Sequence, residues 1–250
     1  MSEIQILERP FLSLCAPAYN EEESIESVVR EWAAIIARDN LNAEMVIGND
    51  GSMDRTGEIL ARLQQEFPNL IIVSHDKNGG YGRALRSAMA EARGEYILTL
   101  DSDGQFDAGE WKQLYDKLQA ETLDLVTGYR HAKQASFLHV YADRGLNGLI
   151  RLMFGLRLRD TNCALKLFRG EVGRALAASG EAMGYPTPTE FLVKAQLLGY
   201  RAGEVQITHR DRAGGTTKLK ALHTSLTMLQ FLLYLRWKQQ LFRARILSRP

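Results

Sequence analysis

The chain has 250 residues, a formal net charge of +1, 45% hydrophobic and 24% charged residues, a composition that excludes a fibrous or disordered chain and is enough for one substantial core. It holds no apolar run of about 18 residues to cross a bilayer and no long apolar stretch near Met1, so neither a membrane span nor a signal peptide is expected. Charge is unevenly placed: from Arg201 on, ten Lys and Arg stand against two acidic residues, +8, and the first 200 residues therefore carry −7, which suits an anionic surface, membrane or nucleic acid, as partner.

Residues 11–17 read as a first strand, leading into the loop Pro17-Ala18-Tyr19-Asn20-Glu21-Glu22. The stripe Ile25, Val28, Val29, Trp32, Ile35 and Ile36 predicts a helix over 24–39, with Glu21, Glu22 and Glu23 at its positive end. A second strand over 45–48 ends in the turn Asn49-Asp50-Gly51-Ser52-Met53-Asp54-Arg55-Thr56, where Asp54 is placed to cap the helix of Ile59, Leu60 and Leu63. A third strand spans 70–73, and Asn78-Gly79-Gly80-Tyr81-Gly82 opens a helix reaching Ala92. A fourth strand covers 96–100, followed by a helix over 110–120 and a strand over 123–127. Strand alternating with helix predicts a mostly parallel sheet with helices on both faces. After Tyr129 a basic, aromatic stretch gives way to a helix over 145–154, a short strand over 166–168, a helix over 189–198 and a strand over 204–208. A glycine-rich, charged loop over 209–218 precedes a helical remainder. The economical organisation is a catalytic domain over 1–218 with a C-terminal helical extension over 219–250.

The fourth strand ends abruptly in Asp101-Ser102-Asp103-Gly104-Gln105. Its end is the carboxyl edge of the sheet, where open α/β folds bind ligands. Two carboxylates one residue apart offer hard oxygen ligands on one side of an extended segment, which suits Mg²⁺ or Mn²⁺ carrying a diphosphate. Asp50, after the second strand, is placed to accept hydrogen bonds from a ribose or base. The Gly79-Gly80-Tyr81-Gly82 loop lacks the third glycine of a dinucleotide fingerprint, since position 85 is Leu85. A close backbone approach between this loop and the sheet is the better reading. Cys15 and Cys163 set up no disulfide framework, Cys15 belongs to the core, and reduced thiols in a cytosolic compartment are expected. No pair of histidines or cysteines has metal-ligand spacing, and no nucleophile elbow or Walker loop is present.

Pro17-Ala18-Tyr19-Asn20-Glu21, Asn49-Asp50-Gly51-Ser52-x-Asp54-x-Thr56, Asn78-x-Gly80-x-Gly82-x-Ala84 and Asp101-x-Asp103-Gly104-Gln105 stand in the order and spacing of family-2 glycosyltransferases. Downstream, Arg130, Arg144, Asn147, Asp160, Lys166-x-Phe168-Arg169, Glu190 and Arg212-x-x-Gly215-x-Thr217-Lys218 resemble the polyprenyl-phosphate sugar transferases, typified by dolichyl-phosphate mannosyltransferase. Asn49 replaces the first Asp of the family's Asp-Asp-Gly-Ser, and Thr217 replaces the Ser before the final lysine. The resemblance implies a GT-A, Rossmann-like fold. It places Ala16, Tyr19, Glu21, Asp50 and Ser102 around the nucleotide. Asp101, Asp103 and Gln105 would hold Mg²⁺ or Mn²⁺ against the donor diphosphate. Arg130 and Arg144 would bind the acceptor phosphate, with Arg212 and Lys218 closing over diphosphate or acceptor.

The reaction expected from the resemblance is transfer of a hexose from GDP-mannose or UDP-glucose to a polyprenyl phosphate at the cytosolic membrane face. Two rivals are a transferase acting on a hydroxyl of a glycan or lipid-linked oligosaccharide, with Asp160 or Glu190 as base, and a membrane-bound nucleotide-sugar-binding module without turnover. Nucleic-acid binding is not expected, because the basic end also carries the apolar cluster Phe231, Leu232, Leu233, Tyr234 and Leu235 and shows no nucleic-acid module. The sequence is silent on oligomeric state. Leu222, Leu226, Leu229, Leu233, Trp237 and Leu241 recur at helical spacing, widened by Phe231, Leu235, Phe242 and Ile246. With Arg236, Lys238, Arg243 and Arg245 among them, they predict a helix over 220–247 lying along an anionic membrane surface.

Overall fold

Apolar runs short enough to be covered on both faces build the sheet at the centre of the molecule. The computed structural model describes residues 9–130, 137–182, 184, 186–210 and 221–243, with side chains for all of these except 137–144, 221–226 and 241–243. Its strands are β1 (Leu12–Ala18), β2 (Ala43–Asn49), β3 (Leu70–Ser74), β4 (Tyr96–Thr99), β5 (Leu125–Arg130), β6 (Lys166–Arg169) and β7 (Ala202–Ile207). They lie in the order β3-β2-β1-β4-β6-β5-β7. Every pairing is parallel except the two made by β6, which runs antiparallel between β4 and β5. All seven residues of β1 and of β2 are buried, as expected of central strands covered on both sides.

The two faces divide by the strand period. Leu12, Leu14 and Ala16 of β1 join Met45, Ile47 and Leu98 in one core cluster with Val28, Val29 and Trp32 of α1 (Ile25–Arg38), Leu60 and Leu63 of α2 (Thr56–Glu66), and Leu114 and Leu118 of α4 (Trp111–Ala120). Cys15, Val46 and Ile97 point the other way. They pack with Leu85 and Met89 of α3 (Tyr81–Glu91), Leu176 of α6 (Gly170–Ser179) and Phe191 of α7 (Thr187–Leu197). The α/β architecture with helices on both faces is thus present as expected.

Two features were not legible. Helix α6 carries Gly170 and Gly173, which weaken a helical pattern. In place these glycines permit close approach: a Cβ at Gly170 would sit 2.3 Å from the Gly94 carbonyl oxygen, and one at Gly173 3.1 Å from Ile97 Cδ1. The reversed direction of β6 has no local signal, because a four-residue strand pairs equally well in apolar pattern either way. Helix α5 (Phe137–Phe154) also begins earlier than its apolar periodicity indicates.

The long helix α8 (Ala221–Arg243) shows two apolar faces where its sequence reads as one broad stripe. Met228, Leu232 and Leu235 are buried in the same core cluster as Leu146, Leu149, Ile150 and Met153 of α5. Leu229, Leu233 and Trp237, each four residues apart, stay 38%, 56% and 57% exposed. Among the described residues no helix is long and apolar enough to cross a membrane.

Candidate active site

Strand order reverses between β1 and β4: the chain leaves β1 toward β2 on one side, and β4 returns on the other. Doubly wound sheets open a crevice at such a switch point, outside the carboxyl ends of the strands. Here it holds a cleft of about 580 Å³ walled by Pro17, Ala18, Tyr19 and Glu21 after β1, Asp50 after β2, and Gly80 and Tyr81 before α3. Asp101, Ser102, Asp103 and Gln105 follow β4, and Arg130 closes the far side with Asn162, Ala164, Pro188 and His209. Residues more than 100 positions apart in sequence therefore share one cavity.

The loops of the first wall are braced against one another. The Asn20 N–H donates to Ser52 Oγ at 3.0 Å and the Glu21 N–H to Thr56 Oγ1 at 2.8 Å. Asp54 lies one residue before the cap position of α2, which is Arg55 without a side-chain cap bond, and it accepts from the Thr56 N–H at 3.0 Å and the Glu22 N–H at 3.1 Å. Asn49 Oδ1 accepts from the Ser52 N–H at 3.3 Å, so an amide suffices at the position where the family carries Asp. Asp50 is 2% exposed and accepts from the Gly79 N–H at 3.0 Å, the Gly80 N–H at 2.7 Å and His75 Nδ1 at 2.9 Å. Its carboxylate thus organises the glycine loop at the cleft wall. The close approach expected between loop and sheet is found one turn on, where a Cβ at Gly48 of β2 would meet the Ala84 carbonyl oxygen of α3 at 2.2 Å, while Gly82 packs instead on Ala182 outside the sheet, where a Cβ would meet its carbonyl oxygen at 2.0 Å.

Of the residues grouped with the nucleotide wall, Ala16 is turned away from it and Ser102 lines it with its hydroxyl already engaged. Ala16 is wholly buried among the α1 and α2 side chains, because alternate residues of β1 face opposite sides of the sheet, and Pro17, Ala18 and Tyr19 line the cleft instead. Ser102 reaches the cleft edge, but its hydroxyl donates to the Pro17 carbonyl at 2.8 Å. Its own carbonyl accepts from Ser24 Oγ at 3.1 Å, tying the start of α1 to the acidic turn.

That turn is held from several sides. Asp103 Oδ1 accepts from the Gln105 N–H at 3.1 Å. The Gln105 side-chain amide donates to the Arg210 carbonyl at 3.3 Å, and the Arg210 N–H returns a bond to the Gln105 carbonyl at 2.9 Å. Arg210 in turn pairs with Glu31 at 2.8 Å and Asp107 at 2.6 Å. Burial, together with the Asp101 carboxylate it bonds and Asp103 nearby, raises the Tyr81 phenol well above its ordinary range. The donor set is two carboxylates and a carboxamide oxygen, all hard ligands. Among the described residues no third His, Cys, Asp or Glu joins them in a metal-sized cluster. Such a set fits a Mg²⁺ or Mn²⁺ ion that takes its remaining ligands from diphosphate oxygens and water.

Around and behind Arg130 the charges stand in pairs. Arg130 donates to both oxygens of Asp160, at 2.7 and 3.1 Å, in a bidentate fork. Glu190 is fully buried, accepts from the Glu181 and Ala182 N–H groups at 2.7 and 2.9 Å, and lies 3.1 Å from Lys194 Nζ. Lys166 is buried on β6, where it donates to Thr127 Oγ1 at 3.0 Å and to the carbonyls of Thr161 and Cys163. Burial is the main cause that lowers its ammonium to about 8. The side chains of Arg144, Arg212 and Lys218 lie outside the described residues. Asn162, His209 and Tyr81 line the cleft without having been singled out. Tyr81 alone had a signal, as the aromatic within the glycine loop.

A switch-point cleft lined by an acidic turn and an arginine paired with Asp160 is the kind of site that α/β group transferases carry. The chain belongs to glycosyl transferase family 2, whose family model matches residues 13–172, and it is a glycosyltransferase. It is 28% identical to the dolichyl-phosphate beta-glucosyltransferase of Trichomonas vaginalis over 85% of this chain and 69% of that protein. It is 30% identical to the dodecaprenyl-phosphate galacturonate synthase of Rhizobium johnstonii over 91% of this chain and 68% of that one. Among solved structures, glucosyl-3-phosphoglycerate synthase from Mycobacterium tuberculosis, in complex with Mn²⁺, UDP-glucose and glycerol 3-phosphate, shares the fold. It superimposes with a TM-score of 0.66 at 20% identity, over 91% of this chain and 80% of that chain.

Proposed function

We propose that this glycosyltransferase moves a hexose from a nucleotide-diphosphate sugar, GDP-mannose or UDP-glucose, to a polyprenyl phosphate such as dolichyl or undecaprenyl phosphate. The observation that carries the reading is that the Asp101–Asp103 turn and Arg130 line one cleft. The relatives support the acceptor class, since a polyprenyl phosphate is named in both while the sugar differs. On this reading Tyr19, Glu21 and the Asp50-held loop seat the nucleotide. Asp101, Asp103 and Gln105 hold Mg²⁺ or Mn²⁺, which when bound neutralises charge on the leaving diphosphate. Arg130 and Arg144 orient the acceptor phosphate, and Arg212 and Lys218 add positive charge over the diphosphate or acceptor.

An acceptor phosphate oxygen, anionic at neutral pH, attacks the anomeric carbon in line. The bond from that carbon to the β-phosphate oxygen breaks, the nucleoside diphosphate departs, and the anomeric configuration inverts. No proton has to be removed from the nucleophile. A hydroxyl acceptor would need a base, and both candidates are engaged: Asp160 by Arg130, and Glu190 by two backbone N–H groups and Lys194.

In this scheme residues 1–218 catalyse, and 219–250 form an extension that rests on the cytoplasmic face of an anionic membrane without crossing it. The inner face of α8 anchors it to α5, and the outer stripe of Leu229, Leu233 and Trp237 meets lipid.

The test is turnover of UDP-glucose and GDP-mannose with undecaprenyl or dolichyl phosphate, scored as lipid-linked sugar. Chelation should abolish it, and Mg²⁺ or Mn²⁺ should restore it. Asp103→Ala should lower kcat by about 10²–10³-fold with the thermal melt unchanged. Transfer only to hydroxyl acceptors, or chelator-resistant turnover, defeats the reading.

A further inference from the structure

Asn162 lines the cleft together with the acidic turn, Arg130, Tyr81 and Ala164. Its backbone is gripped on both sides. Lys166 Nζ donates to the carbonyl before it, Thr161, at 3.5 Å and to the carbonyl after it, Cys163. Asn147 Oδ1 accepts from both the Thr161 N–H, at 3.3 Å, and the Thr161 hydroxyl, at 2.8 Å. A side chain so rigidly presented would ordinarily have its polar atoms satisfied. Yet among the described residues the carboxamide oxygen of Asn162 is buried and has no hydrogen-bond partner. Buried acceptors left unmade are costly and uncommon, and one on a binding cleft marks a donor still to arrive.

We propose that Asn162 accepts a hydrogen bond from a hydroxyl of the transferred sugar and so helps to set which sugar is used. The inference rests on the reaction proposed above and adds a specificity-determining residue to it. An amide oxygen requires a donor. The donor diphosphate and the acceptor phosphate, both anionic, present acceptors only. The transferred sugar, which on the proposed reaction sits between the diphosphate and the acceptor phosphate, is the O–H-bearing group expected here, whereas the ribose and base belong with the Tyr19, Glu21 and Asp50 side of the cleft. A cation would also satisfy the oxygen, but the Lys166 ammonium behind residues 161–163 disfavours a second cation there. The Asn162 side chain is partly exposed although its oxygen is turned inward. Rotation about its broad χ2 well exchanges an unmade bond for one to the sugar. Binding of a correctly placed hydroxyl is thereby favoured over binding of a sugar that lacks it.

Wild type, Asn162→Ala and the isosteric Asn162→Asp are compared on the preferred donor and on donors lacking one sugar hydroxyl at a time. Binding of the free nucleoside diphosphate and of Mn²⁺ is measured in parallel. Asn162→Ala should lower kcat/KM on the full donor by about 10- to 100-fold. It should leave nucleoside diphosphate and Mn²⁺ affinity within about twofold, and it should erase the wild type's discrimination against one particular deoxy donor. Discrimination unchanged against every deoxy donor overturns the assignment. So does a parallel loss of Mn²⁺ or nucleoside diphosphate affinity, which would move Asn162 to the metal or the diphosphate. Asn162→Asp, which keeps an acceptor oxygen, should keep the discrimination; if Asn162→Ala does not fold, Asn162→Leu, which also removes the acceptor, must show the same loss of discrimination. Wild-type turnover separately decides the reaction itself: absence of lipid-linked sugar from wild type with every donor defeats that reading, whereas a normal wild type with an indifferent Asn162→Ala defeats only the role of Asn162.

Discussion

The two walls of the cleft solve the problem of holding polar groups in place by opposite means. The wall made by the ends of β1 to β4 is braced mainly through backbone N–H groups: Asn20 to Ser52, Glu21 to Thr56, and the Gly79 and Gly80 N–H groups on the Asp50 carboxylate, with the Arg210 ion pairs to Glu31 and Asp107 outside it. The wall made by β5, β6 and the segments after them uses buried ion pairs, Arg130 with Asp160 and Lys194 with Glu190. Backbone bracing leaves the Asp101–Asp103 turn at the end of a strand, where a substitution removes the proposed metal ligand and little packing. If Arg130 also binds the acceptor, ion-pair bracing makes one side chain serve substrate and fold, because a charge removed from a buried pair strands its partner.

Arg130→Ala breaks this contrast most sharply. Asp160, 5% exposed, would lose a bidentate partner, and the fold should lose about 3–5 kcal/mol, read as a lower urea midpoint. Arg130→Lys should recover part of that but not the fork geometry. The double variant Arg130→Met with Asp160→Leu removes both charges and should restore most of the stability, yet leave acceptor use low and nucleotide affinity unchanged. If the double variant regains acceptor turnover, Arg130 is only a structural cation, and the two walls differ in stability alone.

The same contrast explains what could be read without coordinates. The first wall was legible because each motif is contiguous and follows its own strand, so order and spacing alone bring Tyr19, Glu21, Asp50 and Asp101 to one edge. What those residues bond was not legible. Asp50 meets partners 25 to 30 positions away, and strand parity turned Ala16 inward where the motif placed it outward. The second wall was read only in part. Its strand β6 inserts antiparallel, and the unmade bond of Asn162 exists only once Thr161, Cys163 and Lys166 are folded around it.

A smaller effect distinguishes how the C-terminal helix is attached. Glu181, before α7, bonds Lys238 and Tyr234 of α8 as well as Lys194 of α7. Burial alone would raise its carboxyl, but those three bonds pull it from an ordinary 4.5 down to about 2. A carboxyl depressed in the folded state contributes stability that is fully present above its unfolded value and fades as pH falls through the folded one. Glu181→Gln should therefore lower stability by about 1–2 kcal/mol at pH 7, roughly 2–6 °C in Tm. The gap between variant and wild type should narrow as pH falls from about 4.5 toward 2. A gap that stays constant across that window would assign the loss to packing rather than to the ionised carboxylate.

The smallest effect on the fold belongs to Trp237, and it bears on whether α8 has one apolar job or two. Its inner residues, Met228, Leu232 and Leu235, are 0%, 0% and 3% exposed, and truncating Leu232 to Ala should cost about 2–5 kcal/mol, as elsewhere in cores. Trp237 is 57% exposed on the other face, so Trp237→Ala should change stability by no more than about 0.5 kcal/mol. If the outer stripe meets lipid, the same substitution should weaken flotation with anionic vesicles by roughly tenfold in partition, since an interfacial indole buries an area worth about 1–2 kcal/mol. Added salt should weaken the wild type further, because Arg236 and Lys238 lie on the same helical segment and their attraction to headgroups is screened. A second copy of the chain seated on the stripe predicts the opposite pattern: flotation untouched by Trp237→Ala, and a change in sedimentation instead. Leu233→Ser, 56% exposed and one turn away, should follow Trp237→Ala in whichever assay responds, because both side chains lie on one face and any partner that covers one must cover the other.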